Sequence, residues 1–101
     1  PHRTMSSDGH EMTFQGNHLA GFLLTQLLLP ALSAATDALS PRVINTSSFG
    51  NRFSRVDLDD VEWTKRRYGN GWLAYCATKL MNIMTIVEFQ RRDRRFGRVP
   101  V

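Results

Sequence analysis

A short β-branched run, Arg42-Val43-Ile44-Asn45-Thr46-Ser47-Ser48, stands between two long segments of helical character and limits what this chain can fold into. Bounded by Pro41 and Gly50, the run reads as a strand. Upstream, Asp8 and Glu11 form a predicted capping pair, and the helix they open extends to about Ala35. Its apolar positions Phe14, Leu19, Phe22, Leu23, Leu27 and Leu28 are too dense for one stripe, so this helix expects neighbours on more than one side. Downstream, residues 49–71 are charged and punctuated by Gly and Asn, and they carry Asp59-Asp60, Trp63 and Tyr68. A connection this long is either a functional loop or disordered. A second helix is predicted from Trp72 to about Arg95, with Ala77, Leu80, Met84 and Val87 spaced along one face. Gly97 sits where that helix should stop, and Val99-Pro100-Val101 looks like the start of another extended segment. Helix, strand, loop, helix and strand in that order describe an α/β layered domain with a parallel sheet. Parallel strands are normally covered by helices on both faces. Here the partner strands are largely missing, so residues 1–101 read as a single partial domain cut from something larger.

A chain of 101 residues allows one small domain at most, and its self-sufficient core must be modest. An apolar share of 42% fits a globular protein better than a disordered one. The net charge of +4 owes much to Arg91, Arg92, Arg94, Arg95 and Arg98. Such a run could meet phosphates, but it is more often simply the solvated end of a helix, where cations complement the helix dipole. Without aromatic interleaving or a nucleic-acid motif, no nucleic-acid partner is expected. The lone cysteine, Cys76, excludes an internal disulfide and favours a reducing, cytoplasmic setting. The apolar stretch from Leu19 to Leu32 is interrupted by Thr25, Gln26 and Pro30 and is too short to span a bilayer, so no transmembrane segment is expected.

The chemistry centres on Tyr75-Cys76-Ala77-Thr78-Lys79. Residues four apart share a helix face, roughly 5–6 Å apart at Cβ. An ammonium so placed favours tyrosinate over phenol, drawing a tyrosine down from about 10. A tyrosine tuned that way can act as acid or base near neutral pH. The spacing alone is also met by an aromatic ring lying on a lysine stem. Ser47 and Ser48 add hydroxyls at the carboxyl end of the predicted strand, the edge where open α/β sheets bind ligands. Serine pairs there are otherwise common turn formers.

Taken together, these segments carry a family resemblance. Asp8-Gly9-His10-Glu11 through Asn17-His18-Leu19 and Phe22-Leu23-Leu24-Thr25 resembles the fourth connecting helix of short-chain dehydrogenases/reductases. Residues 42–48 resemble the strand that delivers that family's catalytic serine, and Leu73 to Asn82 is similar to its Tyr-x-x-x-Lys helix. The long step from Ser48 to Tyr75 looks like the insert of the retinol dehydrogenase and WW-domain oxidoreductase-like branch. The resemblance covers nearly the whole chain, with three motifs in order. One departure is the order Asn17-His18-Leu19-Ala20-Gly21, where relatives usually have glycine then histidine after the leucine.

The resemblance implies a partial Rossmann-like, doubly wound parallel sheet with two long helices, one complete strand and one truncated strand. It implies NAD or NADP as cofactor and a small apolar alcohol/carbonyl pair as substrate. Tyr75 would exchange the proton, and Lys79 would lower its pKa and bind the nicotinamide ribose. Ser48 rather than Ser47 would polarise the carbonyl, and Asn17 would support a water-linked relay to Lys79. Tyr75 and Lys79 are thus the expected cofactor-binding residues. Trp63, Tyr68 and Trp72 favour an apolar substrate. His10 and His18 lack a metal-ligand set and read as surface or packing residues. There is no Gly-rich turn after a strand, so the dinucleotide-binding half is expected to be absent and the 101 residues alone to be inactive. The alternative expectation is a non-catalytic assembly module, in which the two long helices pair with a full-length subunit or form a homo-oligomer.

Overall fold

The computed structural model describes residues 2–35 and 41–92. Before the first helix the chain doubles back: Met5 and Glu11 form an antiparallel bridge, and Ser6 N donates to His10 O at 2.7 Å. Gly9, at φ +83°, closes the turn. This hairpin moves the helix start. The cap is Glu11 itself, whose carboxylate accepts from Thr13 N and Phe14 N, while Asp8 lies in the turn and accepts from Gln15 Nε2 at 3.0 Å. The expected Asp8–Glu11 box is therefore replaced by a single buried carboxylate cap.

A short α1, Met12–Phe14, runs into a π turn, Gln15–Leu19, and then into α2, Ala20–Ala34. In the π turn Ala20 N reaches Gln15 O, five residues back. Pro30 sits inside α2 and costs that turn one backbone bond. No residue of α2 is buried, and Leu23 and Leu27 are 56% and 69% exposed. The all-round apolar character of this helix is therefore left without the neighbours it calls for.

Residues 41–48 do not form the expected strand, and no sheet forms among the described residues. A β ladder needs a second strand to accept and donate its hydrogen bonds, and none is present there. The truncated strand at Val99–Val101 and the helix stop at Gly97 lie outside the described residues.

The connection that follows is folded. A 3₁₀ turn, Phe49–Phe53, is capped by Ser48. Asp60 then gathers the chain: its carboxylate accepts from the N–H groups of Thr64, Lys65 and Arg66, the Thr64 hydroxyl and Arg66 Nε. Burial works against that charge, but the N–H groups of Arg66 and Lys65 and both donors of Thr64 outweigh it, holding the carboxyl well below its usual range. Trp63 adopts φ +57° and is buried under the Arg66 guanidinium, which lies 3.8 Å from its ring centroid.

Helix α3, Trp72–Arg92, begins where Asn70 Oδ1 accepts from Trp72 N at 3.0 Å. Its buried residues are Ala74, Cys76, Ala77, Thr78, Met81 and Asn82. Of the predicted face only Ala77 is among them, and Met84 and Val87 are exposed. The face that meets α1, the π turn and the 3₁₀ turn is rotated toward smaller and polar side chains. Trp63, Ala74, Ala77 and Met81 form the core, with Phe14, Val56, Val61 and Tyr68 packed on it. Farther along, Phe22 of α2 stacks on Phe89 at 5.8 Å. Among the described residues no helix is long and apolar enough to cross a membrane.

Candidate active site

Helix geometry sets Tyr75 and Lys79 on one side of α3. The Lys79 Nζ lies 5.4 Å from the Tyr75 ring centroid, and the opposite neighbour Trp72 stacks on the same ring at 5.5 Å. Among the described residues neither the Tyr75 hydroxyl nor the Lys79 ammonium has a hydrogen-bond partner, so both keep their full capacity for a ligand. The serine segment approaches α3 at Gly50. A Cβ on Gly50 would come within 3.2 Å of Cys76 Sγ, 3.5 Å of Ser48 Oγ and 3.6 Å of Tyr75 Cε1. The Ser48 hydroxyl and the Tyr75 ring thus both lie against the buried Gly50, where a Cβ would crowd Cys76 Sγ.

The two serines differ in what they do. Ser47 Oγ donates to Lys79 O at 2.8 Å and is committed to holding the segment on α3. Ser48 Oγ accepts from Gly50 N at 3.2 Å, which leaves its own proton free to donate. Asn17, in the π turn, does not touch Lys79. Its Nδ2 donates to Thr78 Oγ1 at 3.3 Å, and Thr78 Oγ1 in turn donates to Tyr75 O at 2.6 Å. Ser48 and the Tyr75 ring therefore meet at Gly50, Lys79 lies against the same ring, and Asn17 is linked to the Tyr75 carbonyl through Thr78.

Asn82 and Glu62 escape a reading of the sequence, and the partners of His10, His18 and Tyr68 come only with the fold. Asn82 is buried and bonds to both the π turn and the serine segment. Its position two turns beyond Tyr75, a polar residue on the buried face, is the signal that could have found it. His18 faces Asn82 Oδ1 through Nδ1 at 3.1 Å and lies between Phe14 and Phe22. His10 Nδ1 pairs with Glu62 at 2.9 Å, and Glu62 also accepts from Glu11 N. Burial raises the Glu62 carboxyl, but the His10 hydrogen bond, the Glu11 N–H and the nearby His10 and Arg3 charges bring it below its usual value. Tyr68 donates to Glu11 Oε1 at 3.0 Å, and burial and that carboxylate raise its phenol. These ties fasten the long connection to the start of the first helix. They also correct the aromatic trio: Trp63 is in the core and Tyr68 is tied down, so Trp72 alone stands exposed beside Tyr75.

Arg91 and Arg92 both bind Glu88, whose carboxyl they lower to about 2. The other arginines of that run, Arg94, Arg95 and Arg98, lie outside the described residues. Burial pushes the Cys76 thiol up, which keeps it protonated.

Comparison with known proteins decides the family. Human retinol dehydrogenase 13 is 44% identical over 96% of this chain. A putative daunorubicin C-13 ketoreductase, DnrU, from a Streptomyces strain is 44% identical over 89% of it. The chain belongs to the short-chain dehydrogenase/reductase family. A fungal oxidoreductase, calI of Penicillium decumbens, is 39% identical over 86% of the chain. The chain spans about 28% of the length of the retinol dehydrogenases it matches. No protein-family model matches it, and no solved structure does. Membership of this family implies a Rossmann-like fold for the complete domain, and the named relatives are oxidoreductases.

Proposed function

We propose that the protein carrying this segment is an NAD(P)-dependent oxidoreductase that interconverts an apolar alcohol and its carbonyl compound, with Tyr75 as acid/base. The observation that carries it is that the Ser48 hydroxyl and the Tyr75 ring both flank Gly50 while the Lys79 ammonium lies 5.4 Å from the same ring, with no hydrogen-bond partner on the Tyr75 hydroxyl or the ammonium among the described residues. In the reducing direction Tyr75 gives its hydroxyl proton to the substrate oxygen, and in the oxidising direction it takes that proton back. Ser48 donates a hydrogen bond to the same oxygen and stabilises charge as it develops there. The Lys79 ammonium compensates the negative charge left on the Tyr75 oxygen, and its remaining donors suit the hydroxyls of a nicotinamide ribose. A bound nicotinamide supplies or accepts the hydride. Asn17 supports the lysine side through Thr78 and a water. The exposed Trp72, Phe49 and Phe53 near the site favour an apolar substrate.

Residues 1–101 contain no Gly-rich phosphate-binding turn, so they form a partial domain that does not turn over by itself. The test is reduction of retinal and of simple apolar aldehydes with NADH or NADPH by the full gene product, wild type and Tyr75→Phe. A loss on the order of 1,000-fold in kcat for Tyr75→Phe is expected, from the removed proton transfer together with lost stabilisation of the oxygen. Unchanged turnover overturns the assignment.

A second reading has its own observation. The exposed leucines of α2 and an open groove of about 490 Å³ between Phe14, Phe22, Leu58, Met81, Met84 and Phe89 present apolar surface to a partner. In that reading the two helices pair with another subunit of the same family. Gel filtration of the chain alone and with a full-length relative separates the two, since a clean monomer in both runs overturns pairing.

A further inference from the structure

Asn82 is 3% exposed. A buried primary amide must place two donors and an acceptor, and this one places them on two other segments of the chain. Nδ2 donates to Asn17 O at 3.1 Å and to Thr46 O at 3.2 Å. Oδ1 lies 3.1 Å from His18 Nδ1. Asn17 and His18 belong to the π turn, where backbone bonding runs five residues back instead of four and the carbonyls are turned out of their α-helical positions. Thr46 precedes the two serines directly. Asn82 itself stands on α3, three residues past Lys79 and seven past Tyr75.

One side chain therefore fixes the turn that carries Asn17, the segment that carries Ser48 and the helix that carries Tyr75 and Lys79. Without a β ladder among the described residues to hold residues 41–48, the amide bond to Thr46 O and the Ser47 bond to Lys79 O tie that segment to α3. A leucine of similar size would leave both carbonyls in an apolar setting without a donor, and an aspartate would turn acceptor oxygens toward them. We infer that Asn82 is a positioning residue for the reaction, acting through the placement of Asn17 and Ser48 relative to Tyr75. This rests on the oxidoreductase reading and extends it to a residue that touches neither substrate nor cofactor.

The experiment uses the full gene product with NADPH or NADH and the apolar aldehyde that the wild type reduces fastest, comparing Asn82→Asp and Asn82→Leu with Asp60→Asn and Tyr75→Phe. Asp60 is an equally buried polar hub outside the site, so it reports what lost stability alone does to turnover. A misplacement of the order of 1 Å is expected to lower kcat about 100-fold in both Asn82 variants, with KM within about a factor of three. Asp60→Asn lowers the melting temperature with kcat unchanged. Wild-type kcat in a folded Asn82 variant, or a fall matched by Asp60→Asn at equal stability, overturns the inference. Failure of both Asn82 variants to fold overturns it in favour of a purely structural role. Wild-type turnover in Tyr75→Phe removes the acid/base role of Tyr75 instead, and absence of nicotinamide-dependent turnover in the wild type removes the oxidoreductase reading; neither outcome depends on Asn82.

Discussion

At the scale of single residues, the two adjacent serines have separate duties. Ser47 spends its proton on the Lys79 carbonyl, whereas Ser48 accepts from Gly50 N and keeps its own. Ser48→Ala is expected to lower kcat by about 100-fold with little change in stability, the loss of one donor to a developing oxyanion. Ser47→Ala is expected to cost about 1 kcal/mol of stability, the worth of one side-chain hydrogen bond, and to lower kcat less than Ser48→Ala does. Steady-state kinetics and urea unfolding of the two variants check the split, and the reverse pattern would reassign the role. Tyr75, Lys79 and the preference for Ser48 over Ser47 come from the family's motifs, and their roles rest on the kinetics of these variants. Asn82 and Thr78 were not legible, because a polar residue on a helix declares nothing about its partners until the segments it bonds are folded against it. His18 read as a packing residue, and it is one, but its bond to Asn82 came only with the fold.

At the scale of elements, both helices were legible from their apolar content, and their starts were not. The first start moved from Asp8 to Glu11 because a glycine turn intervened, and the face of α3 moved because small residues, not large ones, meet the neighbouring turns. The strand was legible in composition, yet it forms no ladder among the described residues, because a strand is a property of two segments. Gly71 shows how tightly the entry to α3 is set: it sits at φ +79°, and a Cβ there would come 2.9 Å from the Tyr68 ring. Gly71→Ala is expected to destabilise by about 2 kcal/mol through backbone strain and that contact, measured by urea unfolding; a cost near zero would mean that Tyr68 can move aside. Removing one residue from Gln15–Leu19 would close the turn to ordinary i→i−4 bonding, take the extra residue out of the turn that carries Asn17 and His18, and so weaken their bonds to Asn82.

At the scale of the whole molecule, the chain is only partly packed. Its accessible surface is 7470 Å², against about 5,800 Å² for a compact protein of its mass. Its radius of gyration is 15.3 Å, against about 13 Å for a compact domain of this length. The purified 101 residues are accordingly expected to elute from gel filtration ahead of a compact monomer and to show no nicotinamide-dependent turnover; a compact monomer with full activity would contradict both. The alternation of segments made the two helices legible, the sheet it predicts does not form among the described residues, and the order within residues 49–71 was not legible at all. That connection is held by carboxylates, Asp60 and Glu62 above all, in a pattern that sequence spacing does not advertise. The Asp60 carboxyl is lowered from 3.8 in the folded chain. Its contribution to stability is therefore complete above that unfolded value and is lost as pH falls toward the lower folded one. Thermal melts between about pH 5 and pH 2 should fall steeply for the wild type and less steeply for Asp60→Asn, and parallel slopes would refute the assignment. The two tryptophans offer an optical window on that transition. Trp72 already faces water, while Trp63 lies shielded beneath a guanidinium that Asp60 holds in place. Acid that releases the loop should shift the emission of Trp63 to the red and leave Trp72 as it was, so the chain carries its own fluorescent gauge of whether the connection is docked.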